Sequence, residues 1–250
     1  MKKFELTAEF VTNVFGKKLF RIKALVAFGD VEKGELGGFI EKEGNLSHDG
    51  NAWVSGNAQV SGNAWVSGDA RVSGDARVSG NARVYGDAWV YGNALVSGDA
   101  RVYGNAWVYG NAWVSGNAWV SGDARVSGDA RVSGNARVYG DAWVSGDARV
   151  YGNAWVSGDA RVYGNAWVSG NADFSVVEGF GRYFRATTFF RCKDKILRVQ
   201  CGYFYGDLAQ FREIVKKTHG DSKYAKEYLA IADLMELHFS DEEEKQEAVE

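Results

Sequence analysis

The sequence predicts a mainly β protein: a parallel β-helix with an N-terminal β cap and a C-terminal α+β domain. Three observations predict it. One six-residue phrase, Gly-Asn/Asp-Ala-X-Val-Ser/Tyr, runs from Asn51-Ala52-Trp53-Val54-Ser55-Gly56 to Gly164-Asn165-Ala166-Trp167-Val168-Ser169 with no insertion or deletion, and a fixed short period is the mark of a repeat architecture. Within each phrase Ala and Val stand two apart, so on an extended strand they share an inward face while X points outward. Gly followed by Asn or Asp supplies a corner that ends each strand after about four residues. The chain also contains no Pro, which suits an uninterrupted backbone ladder.

The order Val, variable, Gly, Asn/Asp, Ala, variable resembles the hexapeptide repeat of left-handed parallel β-helices. That resemblance implies the left hand and three phrases per triangular turn of eighteen residues. Counting X from Trp53 to Asp173 gives twenty-one phrases, hence about seven 18-residue coils in a prism on the order of 34 Å long. Every eighteenth residue then falls in one outward row. The first row carries Trp53, Arg71, Trp89, Trp107, Arg125, Trp143 and Arg161. Gln59, Arg77, Leu95, Trp113, Arg131, Arg149 and Trp167 form the second, and Trp65, Arg83, Arg101, Trp119, Arg137, Trp155 and Asp173 the third. All nine Trp lie in these rows.

Corner Tyr residues, among them Tyr91 and Tyr109, add a second outward set. Neighbours in a row are one strand apart, so Trp89 is expected on Trp107, Tyr91 on Tyr109, and an Arg over an adjoining indole, at about 0.5–1.5 kcal/mol per contact. Two readings stay open: the ladders brace the coil from outside, or so much aromatic surface is an interaction surface. On the second reading the ligand- or partner-binding residues are Trp89, Trp107, Trp113, Trp119, Trp143, Arg125, Arg131, Tyr91 and Tyr109. A longer echo, Trp65-Arg71-Arg77-Arg83-Trp89 and again Trp119-Arg125-Arg131-Arg137-Trp143, is offset by three coils and leaves each residue on its side.

Net charge is −3, and residues 51–172 balance nine Arg with nine Asp. Stacked aromatics with Arg also bind single-stranded nucleic acid, but a polyanion groove needs net positive charge, so nucleic acid is disfavoured. The start lacks a secretory apolar run and no segment approaches eighteen apolar residues, giving an expectation of no membrane span and a cytoplasmic setting.

Residues 1–50 read as a cap. Leu19 to Val26 is strand-like after a turn at Gly16-Lys17-Lys18, and Gly29 to Ile40 leads into Asn45-Leu46-Ser47. A β-helix exposes strand edges and an apolar cross-section at its ends, so a cover is expected at each. The repeat spans 51–173, and residues 174–240 form the α+β domain. Its strands are expected at Phe174 to Val177, Ala186 to Cys192 and Ile196 to Tyr205, with a turn at Lys193-Asp194-Lys195. Asp207 caps a first helix with Leu208, Phe211, Ile214 and Val215 on one face, ended by His219-Gly220. A second starts at Asp221 or Ser222 with a stripe of Tyr224, Tyr228, Ile231 and Met235, read either as core or as contact surface. Residues 241–250 are an acidic tail expected to be mobile. Cys192 and Cys201 show no pairing pattern that demands oxidation or metal; a bridge and two reduced thiols both stay open.

Many hexapeptide-repeat proteins are acyl- or nucleotidyl-group transferases with a catalytic His at a cleft between subunits, where it acts as a general base. Here His48, His219 and His238 all lie outside the coils, and no loop interrupts the repeat to wall off a coenzyme A tunnel. His48 reads as a surface residue; His219 suits a helix end. No phosphate loop, no His/Cys cluster with metal spacing and no Ser nucleophile beside a base is found, so no catalytic residue, metal or cofactor is expected.

In whole-chain layout, Lys33-Gly34-Glu35-Leu36-Gly37-Gly38-Phe39-Ile40, the Gly-Asn-Ala-X-Val phrases and Cys201-Gly202-Tyr203-Phe204-Tyr205-Gly206 before a helix resemble bacterial and prophage proteins labelled transferases or polymer-forming proteins. The expected function is a non-enzymatic, phage-encoded binding protein of the host cytoplasm. It is expected as a dimer or trimer that engages a host protein or sequesters a small ligand such as a nucleotide. The alternatives are a self-assembling structural protein, an acyltransferase needing His48, and ice binding. Ice binding would want rows of small hydroxyl residues where this chain has Trp and Arg.

Overall fold

The computed structural model describes residues 1–240. The chain forms two compact units, Met1–Asn171 and a second from Ala172 onward. The acidic segment from Asp241 to Glu250 lies outside the described residues.

The first unit is a β-solenoid of about seven turns. After the strands of the cap come twenty two-residue strands, from β4 (Trp53–Val54) to β23 (Trp167–Val168), one every six residues. They sort by threes into parallel sheets: β4 to β22 (Arg161–Val162) make a seven-stranded sheet, β6 (Trp65–Val66) to β21 (Trp155–Val156) a six-stranded sheet, and β5 (Gln59–Val60) to β23 join the cap strands in a ten-stranded sheet. Register is eighteen residues throughout, as in Trp89 opposite Trp107 and Val90 opposite Val108. The strands are shorter than the four residues expected, because only X and Val pair across coils before the corner turns the chain away. Hydrogen bonds such as Trp89 N–H to the Ala106 carbonyl (2.9 Å) and Tyr91 N–H to that of Val108 (3.0 Å) connect successive coils.

Every Ala from Ala52 to Ala166 and every Val from Val54 to Val168 in the phrase is buried. Each buried Val contributes about 1.5–3 kcal/mol relative to exposure. The corners turn on Gly, of which Gly86 is representative: φ is 69°, and a Cβ there would lie 3.0 Å from the Gly104 nitrogen one coil on. Asn side chains bridge the same corners, as Asn81 to Asn63 above it (3.2 Å) and to Asp99 below (2.9 Å).

Two rows depart from expectation. Asp173 is not a strand residue; it lies in a 3-10 turn, Asn171–Asp173, so the six-stranded sheet ends at Trp155. Trp53, expected to face outward, is only 2% exposed. The cap folds over it, with Phe28 edge-on at 5.4 Å.

The cap consists of β1 (Phe4–Thr12), β2 (Lys18–Ala24) and β3 (Leu36–Ile40). β1, which the sequence reading did not assign, pairs antiparallel with β2, β2 pairs antiparallel with β3, and β3 pairs parallel with β5. The cap also satisfies the open edge of the first coil. On its three sides the Ala52, Ala58 and Ala64 carbonyls accept from the Lys3 ammonium (2.9 Å), the Phe39 N–H (2.8 Å) and the Asn45 side-chain amide (2.8 Å). Gly38 lets β3 approach this closely, because a Cβ there would lie 2.7 Å from the Ala58 oxygen. Asn45 and Lys3 are buried with these contacts made, as buried polar groups require. His48, expected at the surface, is instead part of the clamp: its ring stacks on Phe4 at 4.3 Å, Nδ1 accepts the Lys3 N–H, and Nε2 is 2.7 Å from the Glu43 carboxylate.

The second unit is a four-stranded antiparallel sheet, β24 (Phe174–Val177), β25 (Thr187–Arg191), β26 (Leu197–Cys201) and β27 (Phe204–Asp207), followed by helices α1 (Leu208–His219) and α2 (Lys223–Phe239). The single strand expected over Ile196 to Tyr205 is two strands, broken where the chain reverses at Gly202-Tyr203 so that Cys201 pairs with Phe204. Asp207 caps α1 by accepting from the Gln210 N–H (2.8 Å), and Ser222 caps α2. Phe189, Val199, Phe211, Val215, Tyr228, Ile231 and Met235 form the core. Ile214 and Tyr224, expected on the same stripes, are exposed.

Candidate interaction surface on the solenoid

The period that sends Ala and Val inward sends X outward on three faces, and the structure distributes the nine candidate residues among them. Six fall together. Trp89, Trp107, Arg125 and Trp143 occupy strands β10 (Trp89–Val90), β13 (Trp107–Val108), β16 (Arg125–Val126) and β19 (Trp143–Val144) of the seven-stranded sheet, with Tyr91 and Tyr109 at the adjoining corner. Trp113 and Arg131 are on the ten-stranded sheet and Trp119 on the six-stranded sheet, so the nine do not compose one site.

On the seven-stranded face the ladder is unbroken from Trp89 to Arg125. Trp89 and Trp107 stack at 5.7 Å with planes 15° apart, and Tyr91 and Tyr109 at 5.0 Å and 2°. Tyr91 meets Trp107 edge-on at 6.3 Å, and the Arg125 guanidinium lies over Trp107 at 5.4 Å. Trp143 continues the row, its indole N–H donating to Ser127 Oγ (3.2 Å) and its ring edge-on to Tyr163. Burial, and then the stacked Tyr109, hold the Tyr91 phenol above its ordinary pKa. Trp89 is 45% exposed and Trp107 37%: Trp89 stacks on Trp107, and Trp107 lies between Trp89 and Arg125, yet much of each indole's surface meets solvent.

The other faces are built differently. Trp119 is held between the guanidiniums of Arg101 (5.0 Å) and Arg137 (4.8 Å) and is half-buried, so it braces the coil. Arg131 covers Trp113 at 5.5 Å. Trp113 borders a groove of about 380 Å³ formed by the outward side of the ten-stranded sheet and the tip of the β1–β2 hairpin. Gln59, Arg77 and Leu95 also line it, and the reading of the sequence did not single them out. A signal was present: Gln59 and Leu95 are the two outward strand positions among Trp53 to Trp167 that are neither Trp nor Arg.

In the second unit a recess of about 210 Å³ is lined by Arg185, Cys201, Phe211, His219 and Tyr228 among others. Burial first, and then Cys201, push the Tyr228 phenol up to about 12, so it stays protonated. Cys192 and Cys201 are free thiols, and burial raises that of Cys192. Among the described residues no group of three or more His, Cys, Asp or Glu is arranged to hold a metal, and no helix is long and apolar enough to cross a membrane.

The coils are similar to a known repeat. The family model described as the YdcK beta solenoid repeat matches at residues 58–74, 64–80, 76–92, 88–104, 94–110, 100–116, 106–122, 130–146, 142–158 and 156–170. No curated protein matches the chain.

Proposed function

We propose that this β-solenoid repeat protein is a non-enzymatic interaction protein whose rigid Trp/Arg-faced solenoid associates with further copies of itself as a dimer or trimer and engages a host protein or a small ligand. The observation that carries the reading is the continuous stack Trp89, Trp107 and Arg125 flanked by Tyr91 and Tyr109. Trp, Tyr and Arg are the residues that dominate interface energetics when they become buried. Here their conformations are already fixed by stacking, so little side-chain entropy is lost on contact. A second copy is the favoured occupant because the repeat is charge-balanced, nine Arg against nine Asp, and meets itself without net repulsion. The resemblance to prophage proteins supports a phage origin and a host-cytoplasm setting.

Sedimentation equilibrium tests the reading. The full chain is expected to form a discrete dimer or trimer, and Trp89→Ser/Trp107→Ser to be monomeric with its circular dichroism unchanged. Trp65→Ser/Trp155→Ser, on the six-stranded face, should leave the oligomer intact. A monomeric wild type would overturn the proposal, and mass growing without limit would transfer it to the polymer-forming alternative.

A further inference from the structure

Twenty outward strand positions run from Trp53 to Trp167, and eighteen are Trp or Arg; the exceptions, Gln59 and Leu95, lie on the same face. They belong to β5 (Gln59–Val60) and β11 (Leu95–Val96), and with β8 (Arg77–Val78) and β14 (Trp113–Val114) they make four consecutive strands. Replacing an indole or guanidinium by the shorter Leu95 and Gln59 hollows the floor at the place the hairpin tip reaches. Val14 and Phe15 at that tip are 81% and 82% exposed. The turn backbone that carries them is held: the Asn13 side-chain carbonyl accepts from the N–H groups of Phe15 and Lys17 (3.0 Å each). Two aromatic rings, Phe15 and Trp113, thus border one groove, with the indole N–H of Trp113 tied to Ser97 Oγ (3.3 Å). At about 380 Å³ the volume falls in the ~300–1,000 Å³ range of small-molecule sites.

The groove also has a sign. Among the described residues that line it, Arg77 alone is charged. The neighbouring Lys17 is engaged by Glu41 (2.9 Å), whereas Arg77 makes no ion pair or ring contact among the described residues, unlike Arg71 with Asp30 or Arg131 over Trp113. An unpaired guanidinium beside apolar walls is complementary to a carboxylate or phosphate on a flat apolar body.

We propose that the groove beneath the β1–β2 hairpin binds a small planar organic anion, its ring against Trp113, Leu95 and Phe15 and its anionic group on Arg77. The site lies on a different face from the Trp89–Trp107 stack and stands independently of self-association through that stack.

Isothermal titration of the full chain with 1-naphthoate and with adenosine 5′-monophosphate, each beside its neutral counterpart (1-naphthamide, adenosine), tests the site and separates carboxylate from phosphate. At least one anion is expected to bind, with its neutral counterpart about tenfold weaker or worse. Arg77→Gln should weaken that anion about tenfold or more, and Leu95→Trp, which fills the floor, should abolish binding. Arg83→Gln on the six-stranded face should leave it unchanged. All three substitutions lie outside the buried Ala/Val core, and unchanged circular dichroism would show the fold retained. Absence of binding by both anions, or binding indifferent to Arg77→Gln and Leu95→Trp, overturns the proposal.

Discussion

Trp89 and Trp107 are eighteen residues apart in sequence and one strand apart in space, their ring centroids separated by 5.7 Å and their planes inclined by 15°. The pair expresses the construction of the solenoid: a side chain's face is set by its position modulo eighteen, and its stacking partner is the same phrase position in the next coil. A double-mutant cycle on Trp89→Ala and Trp107→Ala is therefore expected to show a coupling energy of about 0.5–1.5 kcal/mol in urea unfolding. A cycle on Trp89→Ala and Trp65→Ala, on separate faces, should be additive.

Because each coil contacts only its neighbours, whole coils are removable. Deleting residues 105–122 joins Gly104 to Asp123 and returns Arg125 to the face it already occupies. This variant is expected to unfold cooperatively with a smaller dependence on denaturant, since less surface is exposed. Deleting residues 105–113 places Val114 at a corner and Gly116 at a strand centre, and is expected to yield no cooperative transition for the solenoid.

Gly86→Ala isolates the corner. The residue must hold φ near 69°, a conformation costing about 1–2 kcal/mol for a residue bearing Cβ, and its methyl would press on the Gly104 backbone at 3.0 Å. Equilibrium unfolding should show a loss of at least about 1–2 kcal/mol.

The cap's donors give two further outcomes. Asn45→Ala leaves the Ala64 carbonyl without its buried donor, at an expected cost of about 1–3 kcal/mol. Lys3 titrates at about 8, below its ordinary 10.5, chiefly through burial and then the nearby Arg71. Between those values the unfolded chain retains a proton that the folded chain has released, so the contribution of Lys3 to stability rises with pH across that window and is flat below it. Urea unfolding of wild type minus Lys3→Met, from pH 7 to 10.5, should show the difference increasing above pH 8.

The repeat was legible because one phrase carries both the inward Ala-Val pair and the corner, and because its period places every Trp and Arg without knowledge of tertiary contacts. What the period could not reveal were contacts made from outside it. Trp53 obeys the phrase yet is buried, since Phe28 and the cap pack over it. β1 has no local sequence mark, because Phe4 to Thr12 lacks a turn signal at its start and is defined by pairing with β2. Of the candidate residues, six were gathered by the eighteen-residue register, whereas Trp119 shares the Asn-Ala-Trp-Val phrase of Trp107 but stands on another face, clasped by Arg101 and Arg137. The groove was foreshadowed by Gln59 and Leu95, but its other wall comes from a hairpin more than forty residues upstream of Gln59.

The most direct measurement for the central claim, that the stacked indoles of the seven-stranded face are the surface through which copies meet, is hydroxyl-radical footprinting of individual Trp residues across a dilution series. Trp89 and Trp107 are predicted to be protected at high protein concentration and to gain reactivity on dilution, while Trp65 and Trp155 react equally throughout. Equal reactivity of Trp89 and Trp107 at every concentration would contradict it.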